Sequence, residues 1–207
     1  MTVPNVASVA RTRLSLILLF SVFAAPVFLA WMVFYVFPDW RPSGASNHGE
    51  LVEPLRPLPA FQLGTLSGEA IDETFLRGKW TLVYLHGGSC AKPCIQQLYQ
   101  IRQARLAQGK NIDRLQRLMF WIPQNADASD MKELASHFPG VVIVPLANAQ
   151  PAELVAPFAL DAQSAVAAER VYLVDPLGNL MMYYEADADP HGMVEDLEKL
   201  LKWSGLG

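Results

Sequence analysis

The chain has 207 residues and a formal net charge of −4, and 52% of its residues are apolar. Residues 38–207 carry 14 Lys and Arg against 20 Asp and Glu, which gives this part a formal charge of −6. An acidic domain argues against nucleic acid as a partner. A domain of this length can bury an adequate core, so it does not need its two cysteines as a structural staple.

Residues 14–37 form an uncharged run that is rich in Leu, Val, Phe and Ala. About 20 helical residues cross the hydrocarbon core of a bilayer, whereas the apolar region of a cleaved signal peptide has only about 7–15. We therefore expect an uncleaved transmembrane helix over residues 14–37. Arg11 and Arg13 precede this run, and the positive-inside rule then places residues 1–13 in the cytoplasm. The remaining chain is expected in the periplasm, with the helix in the inner (cytoplasmic) membrane.

The residues after the apolar run change in character twice. Residues 38–59 contain five prolines and many polar residues, and we expect an extended tether there. Residues 60–207 then alternate between strand-like and helix-like segments. Strands are predicted at 80–85, 117–122, 141–145, 171–174 and 179–184, with a hairpin over 61–71, and helices at 93–108, 129–138, 151–158 and 191–203. This alternation predicts an α/β domain, a partly parallel sheet flanked by helices with a thioredoxin-like plan.

The two cysteines of the chain, Cys90 and Cys94, lie between the predicted strand 80–85 and the predicted helix 93–108. A helix N-terminus favours the thiolate, which is both the nucleophile of disulfide exchange and a soft-metal ligand. Pro93 suits the first helical turn, so we expect Cys90 in the preceding loop and Cys94 in that turn. Such a pair can close a disulfide or hold one ion. The alternative is that both are small buried apolar residues.

Several segments of the chain resemble the Sco/SenC proteins, which are membrane-anchored thioredoxin-like domains that help to assemble the copper sites of cytochrome oxidase. The matching features are the apolar anchor, the strand lead-in 78–84, the Cys-x3-Cys turn and the segment 172–178. The resemblance covers about residues 55–205. The chain is still more similar to Sco-like proteins of proteobacteria that are encoded beside cytochrome c oxidase genes, through segments 47–51, 102–109 and 177–182.

One departure from this family concerns copper. The resemblance implies that two cysteines and a histidine about five residues before Tyr172 bind the metal, but that position is Ala167 and residues 160–171 contain no histidine. Cu(I) accepts two thiolates alone, whereas Cu(II) requires an added nitrogen ligand. The metal-ligand candidates are therefore Cys90, Cys94 and His86. The alternative for His86 is a strand-end histidine bonded to nearby backbone.

The other polar residues of the chain are expected to have ordinary structural roles. Arg170 stands where thioredoxins have a proline just before the late strand. His48, His137 and His191 are expected to be surface polar residues. A basic run is expected to be a solvated helix face, or else a docking surface for an acidic partner or lipid headgroups. It comprises Arg102, Arg105, Lys110, Arg114 and Arg117.

Three functions fit these residues. The first is a membrane-anchored factor that assists cytochrome c oxidase copper-site assembly by thiol–disulfide exchange through Cys90 and Cys94, and so acts as a thiol–disulfide oxidoreductase. The second is a Cu(I) carrier that uses the two thiolates. The third is a non-catalytic scaffold that binds an oxidase subunit. The missing histidine favours the first function, and the expected partner is an oxidase subunit or another assembly factor.

Overall fold

A computed structural model describes residues 6–36, 47–124, 127–146 and 151–205. The chain divides into two compact units, Met1–Ser46 and Asn47–Gly207. In the first unit, helix α1 (Val6–Tyr35) contains a stretch, Arg13–Tyr35, that is long and apolar enough to cross a membrane. The most apolar part of this stretch is not buried in the structure. A helix with apolar side chains exposed on every side matches the predicted transmembrane helix.

The second unit is built on strands that form one mixed sheet and one small hairpin. The sheet strands are β1 (Glu50–Pro57), β4 (Trp80–Gly87), β5 (Leu115–Ile122), β6 (Val141–Pro145), β7 (Val171–Val174) and β8 (Asn179–Tyr184), and the hairpin strands are β2 (Gln62–Gly64) and β3 (Ala70–Asp72). The sheet order is β1-β8-β7-β4-β5-β6. Strands β4, β5 and β6 are parallel, whereas β7 runs antiparallel to both β4 and β8.

In the described part of the second unit, four α-helices accompany these strands. They are α2 (Lys92–Ala107), α3 (Ala128–His137), α4 (Pro151–Val155), which continues as a 3-10 turn at Ala156–Phe158, and α5 (Pro190–Trp203). The carboxylate of Asp127 accepts the backbone N–H of Ser129 at the start of α3, and Asp189 does the same for His191 in α5. These are ordinary N-caps, and they fix where each helix begins. The predicted α/β fold, a sheet flanked by helices, is confirmed.

The core lies on both faces of the sheet. Along β4, Leu82 and Tyr84 belong to the apolar cluster that includes α2 and α5, while Val83 and Leu85 belong to a second cluster around Phe158. All four side chains are fully buried, as expected for a central strand with both faces covered. Strand β4 is therefore a rigid support, and the turn that follows it is held in a fixed place.

The predicted tether over residues 38–59 is wrong for its second half. Residues 37–46 lie outside the described residues, but Glu50–Pro57 form β1, which pairs with β8 and buries Val52. Proline lacks a backbone N–H, so it is tolerated at the edge of a sheet, where one side of the strand needs no partner. Two of the five prolines that suggest a tether, Pro54 and Pro57, therefore belong to an edge strand.

Candidate thiol and metal site

The two cysteines lie where the sequence predicts them. Cys90 is in the loop after β4 and is half-buried, and Cys94 is the third residue of α2 and is only 1% exposed. They form a disulfide with a Cα–Cα distance of 5.2 Å. Pro93 occupies the first turn of α2, where its missing N–H costs nothing. The pair therefore joins a half-buried sulfur in the loop to a buried sulfur in the first turn of the helix.

The start of the cysteine loop is tied to β5. The indole N–H of Trp121 donates to the carbonyl oxygen of Gly88 at 2.7 Å, and the N–H of Gly88 donates to the carbonyl oxygen of Ile122 at 2.8 Å. Gly88 has a φ of +76°, a left-handed conformation that glycine adopts without a Cβ clash. The chain can therefore turn sharply out of the sheet and into α2.

His86 lies on β4 beneath this loop and is 7% exposed. Its Nε2 lies 3.2 Å from the carbonyl oxygen of Ser89, and its Nδ1 lies 3.5 Å from the hydroxyl of Tyr84. If Nε2 carries the proton it donates to Ser89, and Nδ1 then accepts from the tyrosine. Burial, aided by the negative charge of Glu169, raises the pKa of Tyr84 above its usual value, so this hydroxyl stays protonated.

Among the described residues, His86, Cys90 and Cys94 form a group whose ligand atoms all lie within 4.8 Å of one another. Two thiolates and an imidazole are soft and borderline donors, a set that suits copper. In the disulfide form the sulfurs are not thiolates and cannot serve as such ligands. The residues therefore fit a copper ion only after reduction, and His86 has a local backbone partner that it would then exchange for the metal.

The segment that would carry the third ligand of the Sco proteins passes beside the same turn. A Cβ on Gly87 would lie 2.9 Å from Cγ1 of Val166, so the side chain of Val166 packs directly against the backbone of Gly87. Ala167, the expected ligand position, is exposed and offers no donor side chain. His86 is thus the histidine nearest to the cysteines in sequence, and the fold places its ligand atom within 4.8 Å of both sulfurs.

Arg170, at the start of β7, is part of an ion-pair cluster that the sequence did not reveal. Its Nε and Nη2 atoms donate to both oxygens of Glu185 at 2.8–3.0 Å, and Nη2 also donates to Asp161 at 2.6 Å. Its guanidinium lies 4.9 Å from the ring centroid of Tyr183. The arginine side chain is only 6% exposed, so this cluster fastens the 161–170 segment to the end of β8.

A groove of about 200 Å³ opens beside the exposed side of the disulfide. It lies between the cysteine loop and α3. Its lining residues are Ser89, Cys90, Asp130, Met131, Glu133, Leu134 and His137. Cys90 therefore lines the groove, whereas Cys94 does not and is only 1% exposed.

The basic run does not form the solvated helix face that the sequence suggested. The side chain of Arg117 is buried and donates to the carbonyl oxygen of Pro139, Arg105 donates to that of Leu115, and Arg114 to that of Leu201. Burial, with the positive charges of Arg105 and Arg102 adding to it, lowers the pKa of Arg117 to about 10. Three of the five cations therefore bind backbone carbonyls.

These features define a class: a thioredoxin-like domain with a disulfide-bonded cysteine pair after the carboxyl end of a parallel strand. Residues 80–204 match the family model described as "Transmembrane-like, thioredoxin-like, C-terminal domain". The match covers more than half of the chain, and the protein belongs to this family. No curated protein matches the chain.

Solved structures of Sco proteins share this fold. Bradyrhizobium japonicum ScoI with copper bound is 22% identical, with a TM-score of 0.54, over 69% of this chain and 98% of that one. Yeast Sco1 with copper bound is 20% identical, with a TM-score of 0.59, over 73% and 96%. BsSco, described as a member of the Sco family of cytochrome c oxidase assembly proteins with a disulfide switch, is 13% identical, with a TM-score of 0.56, over 74% and 99%. The predicted resemblance to Sco/SenC proteins is confirmed in the fold.

Proposed function

We propose that this protein is a membrane-anchored Sco-like factor that assists copper-site assembly in cytochrome c oxidase by thiol–disulfide exchange. The observation that carries the proposal is the disulfide between a half-buried loop cysteine and a buried cysteine at a helix N-terminus. The descriptions of the Sco neighbours, which name copper and cytochrome c oxidase assembly, support the choice of partner.

The exchange follows from the unequal exposure of the two sulfurs. In the reduced protein, the thiolate of Cys90 attacks one sulfur of a partner disulfide, and the other partner sulfur leaves as a thiolate. The thiolate of Cys94, favoured by the N-terminus of α2, then attacks the Cys90 sulfur of the mixed disulfide. The partner leaves as a dithiol that can bind copper, and Cys90–Cys94 is oxidised by two electrons. A dithiol donor of the same compartment must reduce it before the next cycle.

Trapping the mixed disulfide tests this mechanism. With Cys94→Ser the resolving thiol is absent, so we expect an oxidase subunit or assembly factor to remain covalently attached to Cys90. Cys90→Ser should trap nothing, because Cys94 is buried. Ser89→Ala is a matched control in the same turn. A covalent adduct that forms equally in both cysteine variants would contradict the assignment of Cys90 as the attacking thiol.

Complementation separates this function from a non-catalytic scaffold. The double variant Cys90→Ser, Cys94→Ser should stay folded, because the chain-entropy relation assigns such a short disulfide loop only about 2 kcal/mol. We expect a deletion strain that carries this variant to keep low oxidase activity and a copper-deficient subunit. Full restoration of oxidase assembly under copper limitation would instead favour the scaffold.

A Cu(I) carrier is the second candidate, and the convergence of His86, Cys90 and Cys94 favours it. Here copper is cargo, taken up by the reduced pair and passed to the partner. Competition with a chromophoric Cu(I) chelator measures the affinity of the reduced protein. His86→Ala should weaken Cu(I) binding about tenfold or more if the imidazole is a ligand, by analogy with the 10–100-fold losses known even for outer-shell partners. The imidazole of His137 also lines the groove beside Cys90, so His137→Ala is the comparison and should leave the affinity unchanged if His86 is the ligand. No detectable Cu(I) binding would exclude the carrier.

Cu(II) distinguishes the site from that of the copper-bound neighbours. Because residues 160–171 contain no histidine, we expect the reduced cysteine pair to bind Cu(II) weakly and to give no stable Cu(II)–thiolate absorption band. If such a band forms and His86→Ala abolishes it, His86 has replaced the ligand that the 160–171 segment lacks.

A further inference from the structure

Two histidines and a glutamate lie together at α5. His191 and Glu195 belong to the helix, and His48 belongs to the segment before β1. The Nε2 atom of His48 lies 3.0 Å from one carboxylate oxygen of Glu195, and the Nε2 atom of His191 lies 3.3 Å from the other. We propose that His48, His191 and Glu195 bind a divalent ion of borderline softness, Zn(II) or Cu(II). This second metal site does not depend on the proposed thiol chemistry.

The backbone of His48 is held in place by a buried carboxylate. Asp196 is 2% exposed, and its Oδ2 atom accepts the N–H of His48 at 2.8 Å and that of Gly49 at 2.9 Å. A buried carboxylate that accepts two hydrogen bonds holds this backbone firmly, since charge-assisted hydrogen bonds are about twice as strong as neutral ones. The segment that precedes β1 is thereby fixed to α5.

The side chain of His48 is held by a glycine of the same helix. A Cβ on Gly192 would lie 2.6 Å from both Cβ and Cγ of His48, and 2.9 Å from its Nδ1. Only glycine leaves room for the imidazole at this point of α5. With the backbone bonded to Asp196 and the ring lying over Gly192, the Nε2 atom is directed to Glu195 before any ion arrives. Such preorganisation lowers the entropic cost of binding.

The donor set and its spacing suit a borderline divalent ion. Zinc binds histidine nitrogen and carboxylate oxygen at about 2.0–2.2 Å, so neighbouring ligand atoms around one ion lie roughly 3 Å apart. The two observed N···O separations are of this size. Two imidazoles with one carboxylate are common ligands of Zn(II) and Cu(II).

One side chain must rotate before all three ligands can reach one ion. The two imidazoles contact opposite oxygens of Glu195, so both reach a single ion only when His191 rotates toward His48. Its side chain is 77% exposed, which leaves space for that rotation. His191 and Glu195 are four residues apart on α5, a spacing at which helical side chains adjoin and can chelate together.

The site lies at the same end of the sheet as the disulfide. Strands β4 and β8 are both antiparallel to β7, so they point the same way, and α5 starts just after β8 as α2 starts just after β4. An ion bound here would tie the first residues of the second unit to α5.

Zinc titration of the full chain, untagged in detergent and with its disulfide intact, tests the proposal. Oxidised cysteines cannot act as thiolate ligands, so the titration reports other donors. We expect one equivalent of Zn(II) to bind by isothermal titration calorimetry. His191→Ala should weaken this binding about tenfold or more, as should His48→Ala and Glu195→Gln, given that lost outer-shell partners alone cost 10–100-fold.

His191→Ala is the decisive variant, because so exposed a side chain can be removed without unfolding the protein. His137→Ala is the matched control, since it removes an imidazole from α3, and it should leave the affinity unchanged. His86→Ala should also have no effect. The proposal is overturned if the protein binds no zinc, if binding survives loss of both His48 and His191, or if it disappears with His86→Ala.

Discussion

Trp121 and Gly88 are joined by a hydrogen bond of 2.7 Å from the indole N–H to the glycine carbonyl. Trp121 lies on β5, is 1% exposed and stands beside His86 in the parallel register. The bond therefore links a fully buried side chain of the core to the first turn of the loop that carries Cys90. Together with the hydrogen bond from the Gly88 N–H to the carbonyl oxygen of Ile122, it fixes the start of the cysteine loop to β5.

Replacing Trp121 by Phe should therefore weaken both the core and the loop. We expect the free energy of unfolding to fall by about 2 kcal/mol, because a buried hydrogen bond and part of a large side chain are lost together. Urea unfolding followed by circular dichroism measures this. Trp203→Phe is the control: Trp203 is 77% exposed, and its loss should cost no more than about 0.5 kcal/mol. Equal losses in the two variants would contradict the role of Trp121.

Replacing Arg170 by lysine or by methionine should lower the free energy of unfolding. A lysine keeps the charge but cannot make the bidentate contact with Glu185 and also reach Asp161. Because both acids are partly exposed, we expect Arg170→Met to lose about 2 kcal/mol rather than the larger cost of breaking a fully buried pair. Arg170→Lys should lose about half as much, as measured by urea unfolding. A lysine variant as stable as the parent protein would show that the fork geometry does not matter.

Acid should weaken the same cluster through Asp161. The hydrogen bond from Arg170, with one from the backbone of Gln163, lowers the pKa of Asp161 below its usual value of 3.8. A carboxyl whose folded pKa is depressed stabilises the fold above its unfolded pKa, and this stability is lost as the pH falls through the folded pKa. Asp161→Asn should therefore lower the melting temperature at pH 7 but much less at pH 3. A difference that is the same at both pH values would argue against this linkage.

The α-helices and strands of the second unit follow from local pattern to within three residues, with strand β1 as the exception. Pro54 and Pro57 suggest a tether, and the place of β1 at the sheet edge depends on β8, more than 120 residues later. The position of Cys90 and Cys94 was predictable because a strand, a turn and a helix with Pro93 follow directly in sequence.

The ion pairs were not predictable from the sequence. Arg170 meets Glu185 across the β7–β8 hairpin, and His48 meets Glu195 across 147 residues. Such contacts depend on which sheet neighbours the fold chooses, and no local pattern encodes them. The prediction that the basic run forms a solvated helix face is wrong for the same reason. The carbonyl oxygens that accept from Arg105, Arg114 and Arg117 belong to other segments. The position of the cysteine turn is therefore predictable from the local sequence. The partners of the charged side chains are not, because they depend on the fold.

The orientation of α1 should depend on two arginines. Arg11 and Arg13 are the positive charges before the apolar stretch, and the positive-inside rule predicts that they keep the N-terminus in the cytoplasm. A protease added to intact spheroplasts should then digest the C-terminal domain while a cytoplasmic marker survives. Replacing both arginines by glutamate should leave a larger fraction of the domain protected, because the charge bias is reversed. Full protection of the parent protein, or a mature N-terminus after Ala25, would contradict an uncleaved anchor with the domain outside.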